Sequence, residues 1–340
     1  MLGFSPATVS LVLNRSSNSD SIPQRTKDLI TATAKKFNYR PNLLARSLRT
    51  HCTSTIGVIV PEVSEGYTAT VLSGIEDYLL QEGYFFFVTS HRHRAELIEE
   101  YPKTFLDRGV DGVIAVDTLW NQKLPVPVVT VSGHNQVAGV TNIVVNHKRA
   151  SHLALAHLVE LGHRKIAFIK GQDFSSDTAI RWRSNLEAAA QLGIRVSSKL
   201  TVQLDEDSPS PQVGYKVTKR LLSSKEPFTA IFAFNDVSAI GAIRALLEAG
   251  LRVPQDVSVV GFDDIQSAAF QRPGLTTIRQ PLRKMGQTAA EVVLRRIRFP
   301  SEKNPVREIV VEPELIVRES TCATHSRALI AEAKLSVSHA

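Results

Sequence analysis

TAIFAFNDVSAIGAIRALLEAGLRVPQDVSVVGFDD, residues 229–264, decides the architecture of this chain. AIFAF (230–234) is a short apolar run, 237–249 has helical periodicity, and VSVVG (257–261) is apolar again. Two continuous apolar strands joined by a helix form a βαβ unit, whose parallel strands are covered on both faces.

The same alternation extends outward in both directions. Upstream lie strand TIGVIV (55–60), a helix near 68–82, strand FFFV (85–88), a helix near 95–108 and strand GVIAV (112–116). Shorter apolar runs follow at 126–131 and 140–145. The pattern then restarts with a helix at 147–161, strand IAFI (166–169), a helix at 180–192, strand 200–204 and a helix at 212–224. This predicts an α/β body of two successive doubly wound halves, with any ligand at the carboxyl ends of the strands, in the cleft between the halves. No G-x-G-x-x-G follows a strand and no P-loop occurs, so no nucleotide cofactor is expected.

The remaining residues carry most of the charge asymmetry. Net charge is +7, and residues 1–50 contribute +6 of it through Arg15, Arg25, Lys27, Lys35, Lys36, Arg40, Arg46 and Arg49 against Asp20 and Asp28. A basic head on a near-neutral body suits nucleic acid, although a solvated basic tail would have the same balance. Within the head, Ser5 is a good N-cap and Pro6 suits the first helical position. Val9, Val12 and Leu13 then form an apolar face, leaving Thr8, Ser10, Leu11 and Asn14 outward. In the next amphipathic stretch, Ile22, Leu29, Ile30, Ala34 and Phe37 form the expected buried side. Pro41 restricts a third helix to about eight residues, fewer than the roughly 12–15 needed for marginal helicity alone in water.

Cys52 and Cys322 make neither a disulfide framework nor a zinc site by themselves and fit a reducing compartment. With no export signal and no long apolar run, the expected location is cytoplasmic, associated with the nucleoid and not with a membrane. His91 and His93 read as a solvated loop. The five-residue spacing of His147, His152 and His157 does not put them on one helical face. No catalytic motif points to an enzyme.

SPATVS (5–10), VLN (12–14) and YRPNLLARSL (39–48) together resemble the DNA-binding head of the LacI/GalR family of bacterial transcription regulators. The body is similar to that family's sensor, a two-lobed periplasmic-binding-protein-like fold, through LGHRKIAFI (161–169), the run 229–264 and PGLTTIRQP (273–281). The resemblance implies an all-α helix-turn-helix head at 1–50, with a hinge helix at 41–49 that orders on DNA. It implies a sensor at 54–320, with a first lobe of about 54–146 and 277–305 and a second of about 147–276 and 306–320. A mobile tail at 321–340 is expected. In the family the recognition helix follows another helix, for which this sequence has only Leu2, Gly3 and Phe4, so either the coding start lies upstream or this is a truncated regulator that binds its small ligand but not DNA.

Carried over by residue, the resemblance places Ala7, Thr8 and Leu11 against base edges and Ser5, Ser10 and Asn14 along the backbone. In the hinge, Leu44 packs across a homodimer, Ala45 lies on the groove floor, Leu48 wedges a base step and Arg49 reaches the minor groove. A small core stripe is the other reading of Leu44 and Leu48. The implied partners are double-stranded operator DNA, a second copy of the chain and a small effector, a sugar or sugar derivative. Tyr67, Thr68, Arg181, Asn235 and Asp263 are the implied ligand contacts. Asp236 is read as a helix cap and Asp264 as orienting its turn; an Arg181–Asp263 ion pair is the structural alternative. NHKRA (146–150) and Ser132–Gly133 depart from the family's usual ligand-contact pattern, which leaves the effector's identity open.

Overall fold

The computed structural model describes residues 3–13, 17–39, 52–64, 66–206, 208, 210–300 and 306–324. The chain divides into two compact units, Met1–Ser54 and Thr55–Ala340.

In the first unit, α1 (Pro6–Leu13) starts where Ser5 caps it, its Oγ accepting from Thr8 N at 3.1 Å. A short 3-10 turn over Ser17–Ser21 leads to α2 (Gln24–Lys36), which follows Pro23. Val12 and Ile30 are the buried apolar side chains where the helices meet. Leu29 and Phe37 were expected inside but are exposed, Phe37 at 72%. Leu29 lies on α2 and Phe37 just past its end, and no described residue of this unit covers either. Of the side chains expected to meet DNA, Asn14 and the hinge residues Leu44, Ala45, Leu48 and Arg49 lie outside the described residues.

The second unit holds two six-stranded sheets. The first combines β1 (Thr55–Val60), β2 (Phe85–Ser90), β3 (Gly112–Val116), β4 (Val128–Val131), β5 (Val140–Val145) and β11 (Glu308–Val311), in the order β11-β5-β4-β3-β1-β2. The second combines β6 (Ile166–Lys170), β7 (Thr201–Gln203), β8 (Ala230–Phe232), β9 (Ser258–Asp263), β10 (Thr276–Arg279) and β12 (Glu314–Ile316), in the order β12-β10-β9-β8-β6-β7. Every pairing is parallel except β10 with β12.

Helices cover the sheets. The first lobe uses α3 (Tyr67–Gln81), α4 (Ala95–Asp107) and, later in the chain, α10 (Leu282–Arg298). The second uses α5 (His147–Glu160), α6 (Ser176–Gln191), α7 (Pro211–Ser223) and α8 (Asp236–Glu248), with the short α9 (Gln266–Phe270). Each sheet has an apolar core on both faces, and the six residues of β1 are all buried, as its uninterrupted apolar run requires. Helices α3 and α10 approach through Gly74 and Gly286. A Cβ on Gly74 would meet the Arg283 carbonyl at 2.0 Å, and one on Gly286 that of Val71 at 2.0 Å.

Four expectations are corrected. The FFFV strand is not covered on both faces: β2 is an edge strand, with Phe85 62% exposed and Phe87 and Val88 also open. Residues 277–279 belong to the second lobe because Thr276–Arg279 pairs with β9, so the crossing falls at Gln280–Pro281. Residues 308–311 belong to the first lobe because they pair with β5. The tail begins later than 321: Thr324 N donates to Leu161 O at 2.8 Å and Cys322 N to Ser258 Oγ at 3.1 Å. Among the described residues, no helix is long and apolar enough to cross a membrane.

Candidate functional site

The carboxyl ends of the strands from both sheets enclose a cavity of about 130 Å³. The first lobe contributes Pro61 and Glu62 beyond β1, His93 beyond β2, Asp117 beyond β3, and Tyr67 and Thr68 at the start of α3. The second contributes Gln172 and Phe174 beyond β6, Arg181 from α6, Phe234 and Asn235 beyond β8, and Asp263 at the end of β9. Thus Tyr67, Thr68, Arg181, Asn235 and Asp263, singled out from sequence, converge on one cavity. Asp117, Phe174 and Gln172 were missed. Asp117 directly follows strand GVIAV, and that position was the signal available.

Backbone conformation marks the same place. Of the ten described non-glycine residues with positive φ, seven (Arg92, His93, Asp117, Ser132, His134, Asp263 and Asp264) lie at strand ends or in the loops at this end of the sheets. Asp263 has φ 113° and Asp264 φ 57°. Side chains rarely adopt such angles, and their cost is tolerated where the surrounding structure imposes them, commonly at functional sites.

Arg181 is buried and held on every side. Its Nη2 donates to Asp177 Oδ2 and its Nη1 to the Phe234 carbonyl, both at 2.5 Å. The guanidinium lies 3.8 Å from the Phe262 ring centroid and 4.4 Å from that of Phe234. Its Nε is buried without a hydrogen-bond partner among the described residues, an unsatisfied donor. The structural ion pair is therefore with Asp177, one helical turn earlier, and not with Asp263. This neutralises the arginine and leaves Asp117 and Asp263 as carboxylates facing the cavity.

Burial pushes both of those carboxyl groups up to about 7. Asp177 adds to the rise at Asp117, while Arg181 opposes the rise at Asp263. Gln280 Nε2 donates to Asp263 Oδ1 at 2.7 Å. Tyr67 donates its hydroxyl to Ser132 Oγ at 2.9 Å, and burial raises its pKa well above the usual phenol range. Asn235 caps α8: its Oδ1 accepts from Ser238 N at 2.9 Å, so its amide nitrogen is what it can offer a ligand. This corrects the capping role read for Asp236. That residue is instead fully buried, accepting from Ile265 N at 2.9 Å and Thr277 Oγ1 at 2.5 Å. Asp264 is tied to Arg279 and Arg318, each at 2.7 Å.

The lobes also touch beside the cavity. Ser176 Oγ lies 2.5 Å from Asp117 Oδ1 and from the Ser132 carbonyl, and His134 Nε2 lies 2.5 Å from Asp177 Oδ1. His91, expected in a solvated loop, is buried. Its Nδ1 accepts from His93 N at 3.0 Å, its Nε2 pairs with Thr118 Oγ1 at 3.1 Å, and burial lowers its pKa to about 4.

On the head, Ala7 is exposed on α1, while Thr8, Ser10 and Leu11 are half-buried. Thr8 Oγ1 is 2.9 Å from Ser5 Oγ, which fixes the first turn of the helix.

Residues 155–321 match the periplasmic binding protein-like domain model. The chain is 31% identical over 331 residues to the HTH-type transcriptional repressor PurR of Haemophilus influenzae, covering 94% of this chain and 96% of that protein. A lac repressor dimer bound to operator and the anti-inducer ONPF superposes with a TM-score of 0.82 at 26% identity, covering 95% and 97% of the two chains. A LacI family transcriptional regulator from Enterococcus faecium with bound ribose superposes with a TM-score of 0.70 at 30% identity, covering 80% and 100%.

Proposed function

Because this chain belongs to the LacI/GalR family of transcription regulators, we propose that it is a homodimeric, effector-responsive repressor of a carbohydrate-utilisation operon. The observation that carries the reading is the convergence of Tyr67, Thr68, Arg181, Asn235 and Asp263, from both lobes, on one cavity at the strand ends. Carboxylates accept from hydroxyls, the Arg181 Nε and the Asn235 amide donate to them, and Tyr67 and Phe174 supply aromatic cover for a ring. That combination suits a polyol such as a sugar. A ligand contacting both lobes binds the closed arrangement more tightly than an open one, so it shifts the balance between them.

The DNA half of the reading rests on the basic head. Helix α1 lies in the major groove, with Ala7, Thr8 and Leu11 toward base edges and Ser5, Ser10 and Asn14 on the backbone. The hinge residues Leu44, Ala45, Leu48 and Arg49 order in the minor groove against their twins, linking effector and operator through one reciprocal coupling energy. The open apolar edge of β2, with Phe85, Phe87 and Val88, supports association with a second copy. The expected place of action is the cytoplasm, on the chromosome.

Two assays test this. In a thermal-shift screen of sugars, nucleosides and sugar phosphates, a neutral sugar raises Tm, and Asp263→Ala abolishes the rise while leaving operator binding intact. A normal effector response in that variant overturns the site assignment. In a salt-dependent gel shift, Leu48→Ala weakens operator binding roughly tenfold or more, because the wedge supports a bent complex worth a few kcal/mol. Unchanged operator affinity rejects the hinge role.

A further inference from the structure

His134, His147 and Asp177 meet beside the cavity but belong to different stretches of chain. His134 lies in the loop after β4 in the first lobe, at φ 55°. His147 is the first residue of α5, where the chain enters the second lobe, and Asp177 is in the first turn of α6. One ligand atom from each falls within 4.8 Å of the other two. His134 Nε2 is 2.5 Å, and His147 Nε2 3.5 Å, from Asp177 Oδ1.

His147 has no adequate account as a structural residue. It is 5% exposed; among the described residues Nδ1 has no hydrogen-bond partner, and Nε2 has only the Asp177 carboxylate, at 3.5 Å. Leaving such a group unsatisfied costs about 1–3 kcal/mol. The ring stacks near Phe262, with centroids 6.3 Å apart, and lies 5.3 Å from the His134 ring.

We propose that His134, His147 and Asp177 form a binding site for a divalent transition metal, zinc or cobalt, that ties the two lobes together. Two imidazoles and one carboxylate suit these ions rather than calcium or magnesium, which take oxygen donors. Ligands of a tetrahedral zinc at about 2.0–2.1 Å stand roughly 3.3 Å apart. The His147–Asp177 separation already matches. The His134–Asp177 pair opens by less than about 1 Å, within reach of a loop residue and a helix first turn. Arg181 holds the other carboxylate oxygen, Oδ2, and so orients the ligand from outside the metal's shell. His91 does not compete, since both its ring nitrogens are engaged. An ion bound here favours the closed lobes and strengthens effector binding reciprocally.

The test uses the full chain, free of any affinity tag and stripped with chelator. Cobalt titration followed by visible absorption, and zinc titration by calorimetry, show one ion per chain, and zinc raises Tm. His134→Gln, at a partly accessible loop position, and His147→Gln each weaken binding beyond the roughly 10–100-fold that loss of an outer-shell partner costs. Both variants should keep the metal-free Tm within a few degrees; if His147→Gln fails to fold, His134→Gln decides alone. Wild-type protein that binds no ion, or one-to-one binding unmoved by His134→Gln, overturns the proposal. Neither readout depends on the effector or on DNA, so it stands or falls separately from the repressor reading.

Discussion

Asp236 opens α8 just past β8, Asp263 ends the adjacent strand β9, and both are buried, yet their surroundings differ in kind. Asp236 has both oxygens answered inside the second lobe, by Thr277 Oγ1 and Ile265 N. Gly261 leaves room for it, since a Cβ there would stand 2.2 Å from its Oδ1. Asp263 has Gln280 on one oxygen, faces the cavity, and is held at φ 113°. A buried carboxylate whose partners all lie within its own lobe fastens a loop. One that is strained and open to a cavity retains capacity for a ligand.

Three substitutions probe that contrast, in descending order of effect on stability. Arg181→Ala strands the buried Asp177 carboxylate and should cost about 3–5 kcal/mol, the range for removing one partner of a buried ion pair. It should also remove the effector response. Denaturant unfolding measures the first effect, and a loss under 1 kcal/mol would show that Asp177 finds another partner at once. Asp236→Ala orphans two buried donors and should cost about 2–3 kcal/mol while effector affinity per folded molecule stays unchanged. If affinity falls instead, the two aspartates do not divide the roles as described.

Asp263→Asn has the smallest effect on stability and the opposite sign. The folded-state pKa of about 7 lies above the ordinary 3.8, so the folded protein holds this proton more tightly. That contribution is complete below the ordinary value and is lost as pH rises through the folded one. The variant should therefore be more stable than wild type at about pH 8, by about 1–2 kcal/mol, with the gap closing toward pH 5. The wild-type profile alone does not isolate this. Burial lowers the pKa of His91, His147, His157 and His163, and those residues lose stability as pH falls through the ordinary histidine range. The wild-type-minus-variant difference cancels them, and a pH-independent gap would refute the assignment.

Much of the site was legible because position in a doubly wound sheet is a chemical prediction: residues just past parallel strands meet the ligand. Asn235 and Asp263 follow from that rule, and Asp117 could have. Asp177 was also within reach, four residues before Arg181 on one helix, the spacing at which opposite charges pair. Nothing in the spacing of His134 and His147 places them together, because loop conformation and lobe closure bring them into contact. The same holds for β2: its apolar run reads as an interior strand, and only its place at the sheet edge leaves Phe85 open.

The sequence alone determined the two-part architecture, the alternation of strands and helices and the basic head, because these depend on local periodicity and on where charge is concentrated along the chain. Tertiary structure decided which lobe residues 277–279 and 308–311 join, which carboxylate neutralises Arg181 and which histidines meet Asp177. Those outcomes depend on distances between segments far apart in the chain, and a charge or an imidazole acquires its partner only when folding removes it from water and brings one within reach.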